Sequence, residues 1–190
     1  MSEIVILASQ SPRRRELLEQ IGVGFKVIAA DIDESPMAKE DAAKYVQRMA
    51  TEKALAVVNR AAGVPVIAAD TSVIVDGDIL GKPESRLGAE AMLTRLSGRS
   101  HQVMTAVALY HDGRIRLKLS VTDVSFSDLS IAQIRAYLAT GDADDKAGAY
   151  GIQGVAGQFV RHISGSYSGV MGLPLYETAA LLRDAEIGLE

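Results

Sequence analysis
The sequence predicts an α/β protein, bordering on α+β, built as a mixed sheet with helices packed on it. Three observations carry this. Short apolar runs alternate with helical patterns through the first half of the chain. Two long strand-like runs flank an Asp112-Gly113 turn in the second half. No internal repeat and no Pro/Gly/Ser linker divides the 190 residues, so residues 1–190 are expected to form one domain.

Taken in order, Ile4 to Ala8 reads as a short buried strand. Ser11-Pro12 then stands as an N-cap followed by proline at the first helical position, opening a helix that Gly22 closes. Phe25 to Ala29 reads as a second strand, and Lys39 to Ala62 as a long amphipathic helix. Val64 to Ala69 is an apolar strand, followed by a hairpin from Val73 to Leu80 around Asp76-Gly77. A helix is expected from Leu87 to Leu96, then strands Gln102 to Tyr110 and Arg114 to Phe126. Helices Ile131 to Thr140 and Leu175 to Asp184 bracket a glycine-rich stretch and a strand near Gln158 to Ile163.

Composition narrows the chemistry. The chain has no cysteine, which excludes a disulfide framework, thiolate zinc and a cysteine nucleophile, and fits a reducing compartment. No secretory pattern and no apolar run near 18 residues is present, so secretion and membrane spanning are not expected. The net charge is −4, with three phenylalanines, six tyrosines and no tryptophan. That argues against nucleic acid as a partner, because backbone neutralisation and base stacking both lack their residues. The P-loop, the dinucleotide fingerprint and the Gly-x-Ser-x-Gly elbow are all missing, and His101, His111 and His162 lack metal-ligand spacing.

Three residues or groups stand where stability alone would not put them. Arg13, Arg14 and Arg15 crowd the first turn of a helix, where the dipole is positive and each cation costs roughly 0.3–1 kcal/mol. Guanidinium groups beside free N–H groups make an anion site suited to phosphate, although a solvated basic patch would look the same. Lys53 lies on the apolar stripe of Ala42, Val46, Met49, Ala50 and Val57, so it either snorkels from the core edge or points into a cleft. Asp70 follows Val66-Ile67-Ala68-Ala69, placing a hard oxygen ligand for Mg²⁺ at the expected carboxyl end of a buried strand. A turn or capping aspartate is the equal alternative for Asp70 taken alone. Gly81-Lys82-Pro83, Asp33-Glu34 and the run Lys146 to Gly154 add a lysine, acids, close-approach glycines and Gln153, an amide able to read a base edge.

Set side by side, these motifs resemble the Maf family along nearly the whole chain. The resemblance rests on Ser9-Gln-Ser-Pro-Arg-Arg14, Asp33-Glu34, Glu52-Lys53-Ala54, Ala69-Asp70-Thr71, Gly81-Lys82-Pro83, Leu96-Ser-Gly98, Asp145 to Gly154 and Gly165 to Pro174. It implies a cytoplasmic enzyme that splits a nucleoside triphosphate into monophosphate and pyrophosphate with a divalent cation (Mg²⁺, Mn²⁺ or Co²⁺). It also implies an elongated mixed, twisted sheet with a deep cleft between two lobes, a fold like that of the inosine-triphosphate pyrophosphatases, and a homodimer. By the same resemblance Asp70 is the proton acceptor, with Lys53, Lys82 and Glu34 as further catalytic residues and Asp70 and Glu34 as metal ligands. Ser9, Arg13, Arg14, Thr71, Lys146 and Gln153 are the implied substrate-binding residues. Arg13, Thr71 and Gln153 match the positions that separate the substrate subgroups, and their combination resembles the one acting on dTTP and UTP. Ser72, where a bulkier apolar residue is usual, departs from the pattern. The competing class is a nucleotide-binding regulator of septum formation that turns nothing over.

Overall fold
The computed structural model describes residues 4–188. Seven strands form one sheet in the order β2-β1-β3-β5-β6-β7, with β4 paired to β3 beside that path. These are β1 (Ile4–Leu7), β2 (Gly24–Val27), β3 (Val66–Val75), β4 (Asp78–Leu80), β5 (Ser100–His111), β6 (Arg114–Phe126) and β7 (Val160–Ser164). β1 runs parallel to both β2 and β3, while every other pairing is antiparallel. One half is therefore an α/β sheet and the other a meander, the physical content of the borderline class read from the sequence.

The helices are α1 (Pro12–Gln20), α2 (Ala42–Val58), α3 (Arg86–Leu96), α4 (Ile131–Leu138), α5 (Tyr167–Met171) and α6 (Leu175–Asp184). α1 starts at Pro12, but Ser11 at the capping position makes no side-chain cap bond, contrary to the sequence expectation. The long helix is shorter than residues 39 to 62. Asp41 caps it by accepting from the Lys44 N–H at 3.1 Å. Lys39 and Ala62 lie outside it with φ of 58° and 51°, a left-handed backbone that no right-handed helix continues through. Both hairpins turn as their Asp-Gly pairs require, with φ of 54° and 83° at Asp76-Gly77 and 50° and 74° at Asp112-Gly113. The last strand starts later than expected, at Val160, because Val155–Phe159 forms a 3₁₀ turn. α5 was not legible in the sequence: five residues are too few to show a period.

The sheet sets two faces against different partners. Even-numbered residues of β3 face α2, whose Val46, Met49, Ala50, Ala54 and Val57 are fully buried against Val66, Ala68, Ala106 and Ala108. Odd-numbered residues face the opposite way and meet two separate apolar clusters. Ile67, Ala69, Val107 and Leu109 pack with Leu17 and Leu18 of α1 and Leu181 and Leu182 of α6. Farther along the same strands Val73, Val75 and Val103 pack with Leu93 and Leu96 of α3 and Ile134 and Tyr137 of α4. Between these clusters the sheet carries hydroxyls: Thr71, Thr105 and Ser120 stand opposite one another on β3, β5 and β6.

Candidate active site
The site begins with a gap in strand pairing. β5 covers one edge of β3 from Val66 to Ile74. On the other edge β1 covers only Val66 and Ile67, and β4 only Val73 to Val75. Residues 70 to 72 therefore open onto a cleft of about 450 Å³. The sequence expectation that the strand stops before Asp70 is corrected: Asp70 is mid-strand, in register with Ala106. It is nevertheless beyond the carboxyl end of the parallel neighbour β1, which stops at Leu7, so the ligand-binding position expected of such sheets is kept.

Alternation along β3 sends Asp70 and Thr71 to opposite faces, and each organises half of the cleft. On the α2 face Lys53 Nζ lies 2.7 Å from Asp70 Oδ1 and 3.0 Å from Glu34 Oε1. Lys53 and Asp70 are only 8% and 6% exposed, so this lysine is a partnered one aimed into the cleft rather than a snorkelling one. Its bond takes Asp70 Oδ1, and no described residue hydrogen-bonds Oδ2. Glu34 comes from the loop before α2, and Tyr45 steadies that loop by donating to the Glu34 carbonyl at 2.8 Å. Partial burial works to raise the Glu34 pKa, but Lys53, Lys82 and Arg14 outweigh it and hold the carboxyl below its ordinary range. Burial, with Asp70 and Glu34 adding to it, pushes the Tyr45 hydroxyl up to about 12.

On the other face Arg14 is a brace. Its Nε donates to the Gly172 carbonyl at 2.8 Å, and its two terminal nitrogens reach Ser9 Oγ at 3.2 Å and Thr71 Oγ1 at 3.4 Å. Burial lowers its pKa while the Asp70 charge opposes the shift; an arginine remains a cation throughout. Around it the lining is apolar, from Val73 and Val103 on the sheet and Val170 and Met171 of α5.

The mouth is charged. Lys146 is pinned by Asp142 at 3.1 Å and Asp145 at 2.7 Å, and Asp145 also reaches Arg13 at 3.8 Å. The glycines of this stretch make room for that arrangement. A Cβ on Gly151 would sit 2.6 Å from Lys146 Cε, and one on Gly154 2.5 Å from Asp142 Oδ2. Lys82 and Gln153 are exposed on the cleft, and neither side chain has a hydrogen bond or ion pair among the described residues.

The ten side chains that the family resemblance assigned to the site line one cleft: Ser9, Arg13, Arg14, Glu34, Lys53, Asp70, Thr71, Lys82, Lys146 and Gln153. Arg15 and Asp33 lie outside its lining, Arg15 donating to the Gln10 carbonyl at 2.7 Å and Asp33 accepting from the Ser35 N–H at 2.9 Å. The sequence reading missed Tyr45 and Thr105, and gave no role to Asp145 and Tyr150 although both stand in the motif from Asp145 to Gly154. Tyr45 was within reach, because it sits eight residues before Lys53 on the same helix and its ring is part of the buried stripe. Tyr150 closes the floor, with its hydroxyl 2.8 Å from Nε2 of buried His101.

An acid–lysine–acid cluster beside a cation-rich mouth is an arrangement for a polyanion. Comparison with known proteins agrees with that class. The model of the Maf family, described as Maf-like protein, matches residues 4–185, and the chain belongs to this family. Among curated relatives, a dTTP/UTP pyrophosphatase of Chromobacterium violaceum is 55% identical, covering 98% of this chain and 96% of the relative. One of Methylobacillus flagellatus with the same name is 54% identical over 97% of this chain and 94% of its own. Among solved structures, the Staphylococcus aureus Ham1 protein matches with a TM-score of 0.49 and 18% identity, over 66% of this chain and 73% of that one.

Proposed function
We propose that this protein is a nucleoside triphosphate pyrophosphatase acting on dTTP and UTP, releasing the nucleoside monophosphate and pyrophosphate. The observation that carries the reading is the Asp70–Lys53–Glu34 cluster at the unpaired edge of β3, in one cleft with Arg13, Lys82 and Lys146. The names of relatives at 55% and 54% identity over nearly the full chain support the choice of nucleotides.

In this reading Arg13, Lys82 and Lys146 hold the triphosphate and stabilise the charge that develops on departing pyrophosphate. Asp70 orients a water through Oδ2 and accepts its proton as the oxygen attacks the α-phosphorus. The bond from that phosphorus to the bridging oxygen then breaks. Lys53 keeps the Asp70 carboxylate aimed, and Gln153 and Thr71 meet the base in the apolar half. The two carboxylates suit a divalent cation, since Mg²⁺ is usually held by one or two carboxylates together with substrate phosphates. No group of three acidic, His or Cys side chains converges among the described residues, so Asp70 and Glu34 would hold Mg²⁺, Mn²⁺ or Co²⁺ jointly with the nucleotide. Such an ion, when bound, lowers the pKa of the attacking water and neutralises phosphate charge.

The same reading treats the chain as one domain with a lobe on each side of the hydroxyl row, working in the cytoplasm as a homodimer. Among the described residues no helix is long and apolar enough to cross a membrane. The test is direct: incubate with UTP and Mg²⁺ or Mn²⁺ and separate the products. UMP with pyrophosphate is expected, and chelation of the metal should stop it. UDP with phosphate, or no turnover of UTP or dTTP with any of the three metals, would overturn the reading.

A further inference from the structure
The loop that carries Glu34 changes its means of support halfway along. Residues 28–41 join β2 to α2 with no helix or strand of their own. As far as Ile32 the loop is held by apolar side chains, with Ile28, Ala30 and Ile32 packed on the cluster beneath α2. There the apolar anchoring ends, and the next large apolar side chain, Met37, is exposed. Glu34 stands two residues past the last anchor, so polar ties must hold it.

Those ties converge on Arg48, one turn of α2 beyond Tyr45. Its Nε donates to Glu40 Oε1 and its Nη2 to Glu40 Oε2, both at 2.7 Å, a fork only a planar guanidinium can make. The same Nη2 also donates to the Ser35 carbonyl at 3.2 Å. Glu40 Oε2 in turn accepts from the Met37 N–H at 2.9 Å. The guanidinium lies 5.6 Å from the centre of the Tyr45 ring, and the Tyr45 hydroxyl holds the Glu34 carbonyl. One side chain thus fixes the loop at residues 35, 37 and 40, directly or through Glu40, while lying outside the lining of the cleft. The fork and the Met37 N–H hold the Glu40 carboxyl down to about 2, so the pair stays charged at neutral pH.

We infer that Arg48 is a positioning residue, which sets where the Glu34 carboxylate stands against Lys53 and Asp70 without itself touching nucleotide or metal. This rests on the part given to Glu34 in the reading above and extends it to the side chain behind it. Lys53 cannot do the same work alone. The Glu34 side chain is about half exposed, and its single contact with a rotatable ammonium leaves its backbone free to drift.

The experiment is a double-mutant cycle on kcat/KM for UTP with Mn²⁺, over the wild type, Arg48→Gln, Glu34→Gln and the double variant. Arg48→Gln should lower kcat/KM about tenfold and raise the Mn²⁺ concentration at half-maximal rate by a similar factor, the scale of losing a group that orients a metal ligand. In the Glu34→Gln background the same change should cost less than about twofold, because the group it positions is gone. A general loosening of the fold would cost the same in both backgrounds. Amide hydrogen exchange of the protein without metal or nucleotide gives a readout independent of turnover. Residues 33–40 should exchange faster in Arg48→Gln, while β3 and β5 keep their wild-type rates. Glu40→Gln halves the fork from the loop side with α2 intact, and should move both readouts the same way even if Arg48→Gln fails to fold. Equal costs in the two backgrounds, or unchanged exchange across residues 33–40, overturn the inference and leave the nucleotide reading standing. If Glu34→Gln alone matches the wild type, or the wild type turns over no UTP, the inference falls together with the reading it rests on.

Discussion

Lys53 Nζ touches Asp70 Oδ1 at 2.7 Å and Glu34 Oε1 at 3.0 Å, so one cation on α2 ties together carboxylates from a loop and a strand. Nearly all of this lysine is buried, and the two acids would otherwise repel across the cleft.

The stability consequence is asymmetric. Lys53→Met leaves two carboxylates facing each other, one of them buried, and should cost about 3 kcal/mol. Asp70→Asn leaves Lys53 with Glu34 as its partner and should cost clearly less. Urea unfolding of both variants checks the order, and a Lys53→Met protein no less stable than Asp70→Asn would contradict it.

Activity should divide the other way. Asp70→Asn is expected to lower kcat for UTP by about a thousandfold or more while the far-ultraviolet circular dichroism stays that of the wild type. Retention of even a tenth of wild-type turnover would remove Asp70 from the chemistry.

Gln153→Glu should act on choice of base rather than on rate. Replacing a donor–acceptor amide with an acceptor-only carboxylate is expected to shrink the ratio of UTP to GTP turnover, mostly through KM for UTP. An unchanged ratio would count against Gln153 as a base reader.

His101 gives the fold an acid-sensitive point. Burial pulls its pKa down to about 4 from an ordinary 6.5, and its Nδ1 has no hydrogen-bond partner among the described residues. Between those values the unfolded chain binds a proton that the folded chain refuses, so stability rises with pH across that window. The contribution is complete above about pH 6.5, is lost as pH falls toward 4, and amounts to roughly 3 kcal/mol. Carboxylates such as Glu34 add their own acid dependence, so the check is a difference. The wild type should lose more stability than His101→Gln between pH 7 and 4.

Gly148 is the backbone prediction. Its φ is 66°, and a Cβ there would stand 2.8 Å from Val73 Cγ2 and 2.9 Å from Val73 Cβ. Gly148→Ala therefore has to push the turn that carries Lys146 off the sheet, at a cost of about 1–3 kcal/mol. Thermal unfolding and KM for UTP should both worsen.

Much of this was legible in the sequence because its signals are local. Asp-Gly pairs specify their hairpins, apolar spacing shows which face of α2 is buried, and Lys53 betrays itself by standing on that face. The run Asp70-Thr71-Ser72 misled for a physical reason. Three polar residues after four apolar ones read as a chain leaving the sheet. In the fold the strand continues, and these residues are polar because β1 ends before reaching them and β4 begins after them. Strand coverage is a property of the neighbours, which no local pattern records. Thr105 was invisible for a related cause, since a threonine in a β-branched strand looks like a strand former until its partner across the sheet is known.

The brace made by Arg14 has a consequence for biogenesis. It joins the start of α1 to a carbonyl 158 positions later, and the same guanidinium orients the hydroxyl of Thr71. This corner of the cleft therefore waits for Gly172 to leave the ribosome. A nascent chain stalled short of that residue lacks the carbonyl that Arg14 Nε donates to, so this corner of the cleft is among the last to be fixed.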